Sequence, residues 1–217
     1  WRLNLVAALA ESLATRPGVS LQAHALTGFE AGVPVVLALD DGSRLRTRLL
    51  IGADGANSAV RKAAGIEQTK VPYRQSAILA NVAFARGHGN IARQRFLDTG
   101  PIAALPLAAQ RECSIVWSYN DERAAELMAC EDAYFIGALR EAFEDCLGGV
   151  THLSARAAFP LARAQAAQMV DGRCVLLGDA AHLMHPLAGQ GLNMGLMDVA
   201  ALVECLGPAT AGVGSST

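Results

Sequence analysis

The stretch VLLGDAAHLMHPLAGQGLNMG, residues 175–195, places the strongest constraint on what this chain can fold into. It opens as a buried strand and ends as a helix, which is the repeating unit of a parallel α/β sheet. Between the two lie an Asp, two His, a Pro and several Gly, far more than a simple connection requires. Such sheets bind ligands beyond the carboxyl ends of their strands, so we expect this crossing to hold one.

Individual residues of the crossing suit a polar ligand. Gly178 lets the backbone approach a ligand closely, and the Asp179 carboxylate at the strand end suits a sugar hydroxyl. Pro186 makes the return of the chain rigid. Gly189 and Gly191 precede the second helix, whose first backbone N–H groups attract partial negative charge.

The two histidines of the crossing, His182 and His185, are three residues apart in the sequence. No third ligand is near them, so we predict no metal site. Packing within the loop is the favoured role of His182, and contact with substrate or cofactor is the alternative. The sequence assigns no catalytic side chain.

A second turn, IGADGANSAVRKAAGI at residues 51–66, has the same order of strand, turn and helix. Either Asn57 or Ser58 caps the helix. The turn could bring Asp54 and Arg61 together as an ion pair. Taken alone, the segment is equally consistent with an ordinary capped turn. The residues expected to form the turn are Gly52, Asp54 and Gly55.

The rest of the chain indicates two layers of different character. Helical spacing predicts a helix over residues 3–15, then three strands, of which VSLQAH is the first and the second and third are joined by an Asp41-Gly42 hairpin. Residues 68–160 carry several strands and then a helix, EDAYFIGALREAFEDCLGG, typical of an antiparallel sheet with helical cover. LSARAAFPL is expected to be one more strand, and Pro208 to break the last helix. We predict an α/β fold with an α+β insertion, divided as 1–67, 68–160, 161–206 and a tail at 207–217.

Composition limits the classes of function. The chain has 217 residues, 52% hydrophobic and 18% charged, with a formal net charge of −2. It carries no basic run typical of nucleic-acid binding and no apolar stretch of roughly 18 residues that would predict a membrane-spanning helix. Five scattered cysteines without a CxxC pair, and a first segment unlike a signal peptide, favour a cytoplasmic protein with reduced thiols.

Two motifs carry a family resemblance. DGANSAVR resembles the DGxxSxxR motif of class A FAD-dependent aromatic hydroxylases, the p-hydroxybenzoate hydroxylase-like family. GDAAHLMHPLAGQGLNMGLMD resembles the second flavin motif of that family and is nearest in wording to the ubiquinone-biosynthesis (polyprenyl-phenol) hydroxylases. The resemblance extends over residues 1–206. It implies a partial FAD/NAD(P)-binding Rossmann-like domain with a substrate domain at 68–160.

The resemblance implies roles for the matching residues. Asp179, with its neighbours Gly178 and Ala180, would hold the ribityl chain of FAD. The first turn, through Gly52, Asp54, Gly55 and Arg61, would brace the site and contact the pyrophosphate or NAD(P)H. The residues that would line the isoalloxazine are Pro186, Gly189, Gln190, Gly191, Leu192 and Asn193.

The resemblance also implies an activity. FAD reduced by NAD(P)H reacts with O2 to form a flavin C4a-hydroperoxide, which transfers OH to an electron-rich phenol. A prenylated phenol would add peripheral association with the inner membrane or with a ubiquinone-biosynthesis complex. One alternative is a flavin-free remnant that serves as a binding or assembly module, and another is a flavin reductase or halogenase. The particular phenol, the choice of NADH or NADPH and the oligomeric state do not follow from the sequence.

The family's FAD domain opens with a strand–GxGxxG–helix unit that grips the ADP half of the cofactor. No stretch of this sequence matches that unit. We expect the unit to precede Trp1 in a longer polypeptide, and the alternative is a chain that has lost independent FAD binding.

Overall fold

A computed structural model describes residues 2–185 and 190–210. The described chain divides into two compact units. Residues up to Val71 together with those from Arg163 onward form the first unit, and Pro72–Ala162 form the second.

The elements follow one another in chain order. The helices are α1 (Arg2–Ala14), α2 (Ala59–Ala63), α3 (Asp121–Ala129), α4 (Asp132–Ala142) and α5 (Gln190–Thr210). The strands are β1 (Leu26–Glu30), β2 (Val35–Leu39), β3 (Arg44–Thr47), β4 (Leu50–Gly52), β5 (Gln68–Phe84), β6 (Arg93–Leu97), β7 (Gly100–Pro106), β8 (Glu112–Asn120), β9 (Val150–Leu153), β10 (Ala157–Ala166), β11 (Val170–Asp171), β12 (Cys174–Leu176) and β13 (His182–Leu183).

The first antiparallel sheet of the first unit has the strand order β1-β2-β3. The predicted Asp41-Gly42 hairpin joins β2 to β3, and Gly42 has a φ of +80°. The predicted strand VSLQAH is wrong, because residues 19–24 are exposed and β1 begins only at Leu26. Strand β1 pairs with β2, and its Leu26 and Phe29 side chains pack against the core. The pairing also gives the backbone of β1 its hydrogen-bond partners.

The parallel sheet of the first unit has the strand order β11-β12-β4, with β12 and β4 parallel. The sequence predicts one strand from the hairpin to LLIG, but the chain divides it into β3 and β4, which belong to different sheets. The Thr47 hydroxyl donates to the Leu49 carbonyl at 2.8 Å where the chain changes direction. Leu50, Val60 and Leu176 are buried in the core of this unit.

The second unit is an antiparallel sheet covered by α3 and α4. Its strand order is β6-β7-β8-β5, and β9 also pairs with β5. Side chains alternate along β5, and Ile78, Ala80, Val82 and Phe84 are buried on one face. The core of the unit includes Trp117, Phe135, Leu127 and Leu139.

The structure differs from the sequence prediction at three further points. Helix α3 is absent from the sequence prediction, and the Asn120 side chain caps it by accepting from the Arg123 N–H at 2.8 Å. The predicted strand LSARAAFPL is interrupted between β9 and β10, where Arg156 turns inward and donates to the carbonyls of Leu127 and Cys130. Helix α5 continues past Pro208, so the predicted break there is wrong. The predicted helix after residue 131 is confirmed as α4.

Candidate functional site

Both predicted turns leave the parallel sheet at the same edge. Strands β4 and β12 run parallel with Gly52 opposite Leu176, and the Leu177 N–H donates to the Gly52 carbonyl at 2.9 Å. The carboxyl ends of the two strands are therefore neighbours, although the turns that follow them lie far apart in the sequence. This is the edge at which open α/β sheets bind ligands.

The first turn is closed by its own aspartate. The Asp54 carboxylate accepts from the Ala59 and Val60 N–H groups at 2.6 and 3.2 Å, at the start of α2. Ser58 caps the same helix, as predicted, by accepting from the Arg61 N–H at 2.9 Å. Partial burial by itself raises the pKa of Asp54, but hydrogen bonds from Ser58, Val60 and Ala59 outweigh it and hold that pKa below its ordinary value.

The predicted ion pair between Asp54 and Arg61 is wrong. Arg61 is 5% exposed, and its guanidinium donates to the carbonyls of Ala180 and Ala56 at 2.9 and 3.0 Å. The Asp54 carboxylate is already engaged by the amides of α2, so it faces its own helix. Arg61 thus bridges the first turn to Ala180 in the second, and the two motifs form one structure.

Two glycines of the first turn have local explanations. A Cβ on Gly52 would lie 2.8 Å from Leu176 Cδ2 and 2.9 Å from Val60 Cβ, so this position is a close packing contact between β4, β12 and α2. Gly55 has a φ of +82°, a conformation that side chains disfavour. Both glycines follow from the shape of the turn itself.

The second turn is held by contacts from distant segments. Gly178 has a φ of +57° and begins a single 3₁₀ turn, Gly178–Ala180. The Ala181 carbonyl accepts from the Ala166 N–H of β10 at 2.7 Å, and β13 continues the pairing with β10. The Asp179 side chain lies between these fixed points and is exposed. A carboxylate presented in this way is available to a ligand.

Asp198 of α5 is a functional candidate that the sequence analysis missed. Its Oδ2 accepts from the Gly178 N–H and is bound to His182 Nε2, both at 2.8 Å. His182 thus packs within the loop, as predicted, and its ring is held there by a hydrogen bond with Asp198. In the sequence, Asp198 stands out only as an acidic residue within an apolar stretch of the last helix. That pattern does not show which groups its carboxylate binds.

The described part of the first turn of α5 is largely exposed. Helix α5 begins at Gln190, and a Cβ built on Gly191 meets no described atom within 4 Å. Leu192 and Asn193 are exposed in the first turn of the helix. Two further predicted site residues, Pro186 and Gly189, lie outside the described residues. An exposed strand-end carboxylate on a turn that contacts α5 through Gly178 and Gly195 fits FAD, which presents ribityl hydroxyls and an electron-rich ring edge.

His185 and a cluster of three side chains near the ends of β1 and β2 are two further places with groups that can bind a ligand. Burial lowers the pKa of His185, so its ring favours the neutral form. Ligand atoms of His24, Asp40 and Asp41 all lie within 4.8 Å of one another near the ends of β1 and β2, and all three residues are exposed. The Nδ1 atom of His24 lies 3.2 Å from Asp40 Oδ1 and its Nε2 atom lies 3.5 Å from Asp41 Oδ2, so each ring nitrogen faces a different carboxylate.

Comparison with known proteins gives one family match and several relatives. Residues 4–217 match the family model described as FAD binding domain. The mitochondrial ubiquinone biosynthesis monooxygenase of Mus musculus is 41% identical over 209 residues, covering 81% of this chain and 44% of that protein. The 3-demethoxyubiquinol 3-hydroxylase of Escherichia coli (strain K12) is 43% identical over 170 residues, covering 78% of this chain and 43% of the relative. The chain therefore spans less than half the length of these relatives.

Solved structures give the same picture of the fold. The anhydrotetracycline hydroxylase OxyS from Streptomyces rimosus matches with a TM-score of 0.64 and 28% identity, over 98% of this chain and 42% of that one. The probable FAD-dependent monooxygenase pqsL from Pseudomonas aeruginosa matches with a TM-score of 0.80 and 24% identity, over 97% of this chain and 61% of that one. The second likeness concerns the fold alone. Among the described residues, no helix is both long and apolar enough to cross a membrane.

Proposed function

Because this chain belongs to the family of FAD-binding domains, we propose that it forms part of a FAD-dependent monooxygenase that hydroxylates an aromatic ring with NAD(P)H and O2. One observation carries the proposal. The exposed Asp179 carboxylate lies on a turn whose backbone is held by Arg61, Asp198 and β10, close along the chain to the start of α5. A carboxylate fixed in this way at a parallel-strand end suits a polyhydroxylated cofactor.

The residues of this chain would bind and orient the cofactor. Asp179 would accept hydrogen bonds from the ribityl hydroxyls, with Gly178 and Ala180 forming the turn beneath them. The N–H groups at the start of α5 would face the N1/C2=O edge of the ring, where the helix dipole favours negative charge. Bound FAD supplies the redox and oxygen chemistry. The residues proposed to lie against its ring are Pro186, Gly189, Gln190, Gly191, Leu192 and Asn193.

The first turn has a supporting role in this proposal. Arg61 holds the Ala180 carbonyl, and Asp54 fixes the start of α2, the helix that carries Arg61. Gly52 and Gly55 permit the close packing and the backbone shape of that turn. Contact of this turn with the pyrophosphate or with NAD(P)H remains part of the proposal.

The relatives support a finer substrate class. Their printed names place them in ubiquinone biosynthesis, so we infer that the substrate is a phenol that carries a polyprenyl chain. A substrate of this kind partitions into membranes, and peripheral association with a membrane or a ubiquinone-biosynthesis complex belongs to the same inference. A flavin-free assembly module is the less favoured alternative, because both flavin motifs keep their residues and the first turn remains bridged to the second.

The direct test uses protein expressed from the complete reading frame. We expect apoprotein titrated with FAD to bind it stoichiometrically, and the holoprotein to oxidise NAD(P)H faster when a phenol is present. With ¹⁸O2, one labelled oxygen should enter the aromatic product, as mass spectrometry would show. Asp171→Ala, an exposed aspartate of β11, serves as the matched control for Asp179→Ala. A wild-type protein that binds no FAD would overturn the proposal.

A further inference from the structure

The Asp198 carboxylate lies where the second turn meets α5. Its Oδ2 accepts from the Gly178 N–H and contacts His182 Nε2, each at 2.8 Å. The side chains of Asp198 and His182 are 13% and 12% exposed. Hydrogen bonds to an ionised group that is largely shielded from water are strong and directional, so this contact fixes geometry at both partners.

The contact also fixes the proton on His182. An ionised carboxylate only accepts hydrogen bonds, so the Nε2 atom that faces Asp198 carries the hydrogen. In the neutral ring, Nδ1 is then an acceptor. The backbone of His182 is held separately, because β13 pairs with β10. Ring and backbone of this residue are therefore both constrained.

The turn and the helix also touch through their backbones. A Cβ built on Gly195 would lie 3.5 Å from the Gly178 Cα, so a glycine of α5 faces the glycine that begins the turn. Asp198 follows Gly195 by one helical turn and binds the amide of that same Gly178. These two contacts thus tie the turn that carries Asp179 to α5.

We propose that Asp198 is a positioning residue for the cofactor. From α5 it holds the Gly178 amide and the Nε2–H tautomer of His182, so that Asp179 and the helix start are presented to FAD as one rigid unit. This inference rests on the proposed function, because it assigns the contacts of Asp198 a role in binding FAD.

The first experiment reads the His182 tautomer in the wild-type protein by ¹⁵N NMR with labelled histidine, assigned by the loss of its signal in His182→Gln. At a pH where the ring is neutral, we expect a protonated Nε2 and an unprotonated Nδ1. In Asp198→Ala the signal should move to a mixture of tautomers. In Asp198→Asn the amide oxygen can take the place of Oδ2, so the wild-type tautomer should persist. A protonated Nδ1 with an unprotonated Nε2 in the wild type overturns the proposal, whether or not any variant folds.

The second experiment measures FAD. We expect Asp198→Ala to weaken FAD binding by about tenfold or more and to change the visible spectrum of the flavin even at saturation. Asp198→Asn should restore most of both properties. Glu204→Ala, an exposed acidic residue of the same helix, should match wild type.

The outcomes separate the two proposals. If Asp198→Ala binds FAD as tightly as Glu204→Ala and shows the same flavin spectrum at saturation, the positioning role of Asp198 is overturned. The proposal that the protein binds FAD then still stands. A wild-type protein without FAD binding overturns the proposed function and, with it, the assignment of Asp198 to a cofactor. The His182 signal in that protein still shows whether Asp198 holds the turn.

Discussion

The turn after β4 and the turn after β12 leave neighbouring strands at one sheet edge, and their aspartates face different ways. Asp54 folds back onto the start of its own helix and accepts from two of its N–H groups. Asp179 is exposed, and the contacts that hold its turn come from Arg61, Asp198 and β10. Asp54 therefore stabilises its own turn, whereas the turn of Asp179 is stabilised by residues of other segments.

Under the proposed function, this difference assigns a structural role to Asp54 and a cofactor-binding role to Asp179. Asp54 accepts from two N–H groups of α2 through one oxygen, Oδ2, so that oxygen is committed to the start of its own helix. A carboxylate on a turn fixed by other residues keeps its oxygens available and loses little freedom on binding. Substitutions in the two turns should therefore give opposite patterns of stability and cofactor affinity.

The largest effect is expected at the residue that serves both turns. Arg61→Met removes the guanidinium hydrogen bonds to Ala180 and Ala56, and we expect the free energy of unfolding to fall by about 3 kcal/mol or more. Arg61→Lys, which keeps the charge without the planar fork, should lose roughly half as much. Urea unfolding of the apoprotein, followed by circular dichroism, measures both. Wild-type stability in Arg61→Met would mean that the turns are not coupled through this residue.

The exposed aspartate should affect FAD and leave the fold unchanged. Asp179→Ala should weaken FAD binding by about 1.5–3 kcal/mol, the range of a charge-assisted hydrogen bond, and change unfolding by no more than about 0.5 kcal/mol. Asp179→Asn should lose less affinity, because its amide oxygen still accepts. Titration of apoprotein and a urea curve give the two numbers. Equal FAD affinity in wild type and Asp179→Ala would remove this residue from the cofactor site.

Gly55 and Gly178, which both have a positive φ, allow the backbones of the two turns to be compared. Gly55→Ala and Gly178→Ala place a side chain at φ values of +82° and +57°, and each should cost about 1–2 kcal/mol of stability. Only Gly178→Ala should also weaken FAD binding, because Gly178 directly precedes Asp179. The same measurements on both variants make the comparison. Equal losses of FAD affinity in the two variants would contradict the division of roles.

The smallest effect is expected at Asp54 and depends on pH. Asp54→Asn should destabilise the protein by about 1 kcal/mol at neutral pH through the weakened cap, with little change in FAD affinity. The pKa of Asp54 is lower in the folded protein, so its contribution is present above the unfolded pKa of about 3.9 and is lost as pH falls through the folded pKa. The stability gap between wild type and variant should therefore close with acidification. A gap that persists in acid would show that the charge is not responsible.

Much of the site follows from the sequence because its signals are local. The strand, turn and helix of each motif, and the cap at Ser58, depend on residues within a few positions of one another. The family resemblance inferred from the two motifs is confirmed by the match over residues 4–217. The mixed α/β class with antiparallel sheets is confirmed by the structure and by its neighbours.

The partners of the site were decided by the tertiary structure. Arg61 selects the Ala180 carbonyl 119 residues away, and Asp198 selects the Gly178 amide. Every residue carries a carbonyl, and nearly every residue an N–H, so no side-chain pattern marks which one a distant group will bind. The division of β3 from β4 also depends on distant segments, because β3 pairs with β2 whereas β4 pairs with β12. The sequence alone predicts which residues hold a flavin, whereas the packing of β4, β12 and α5 decides which of those residues are exposed, because burial depends on segments that are distant in the chain.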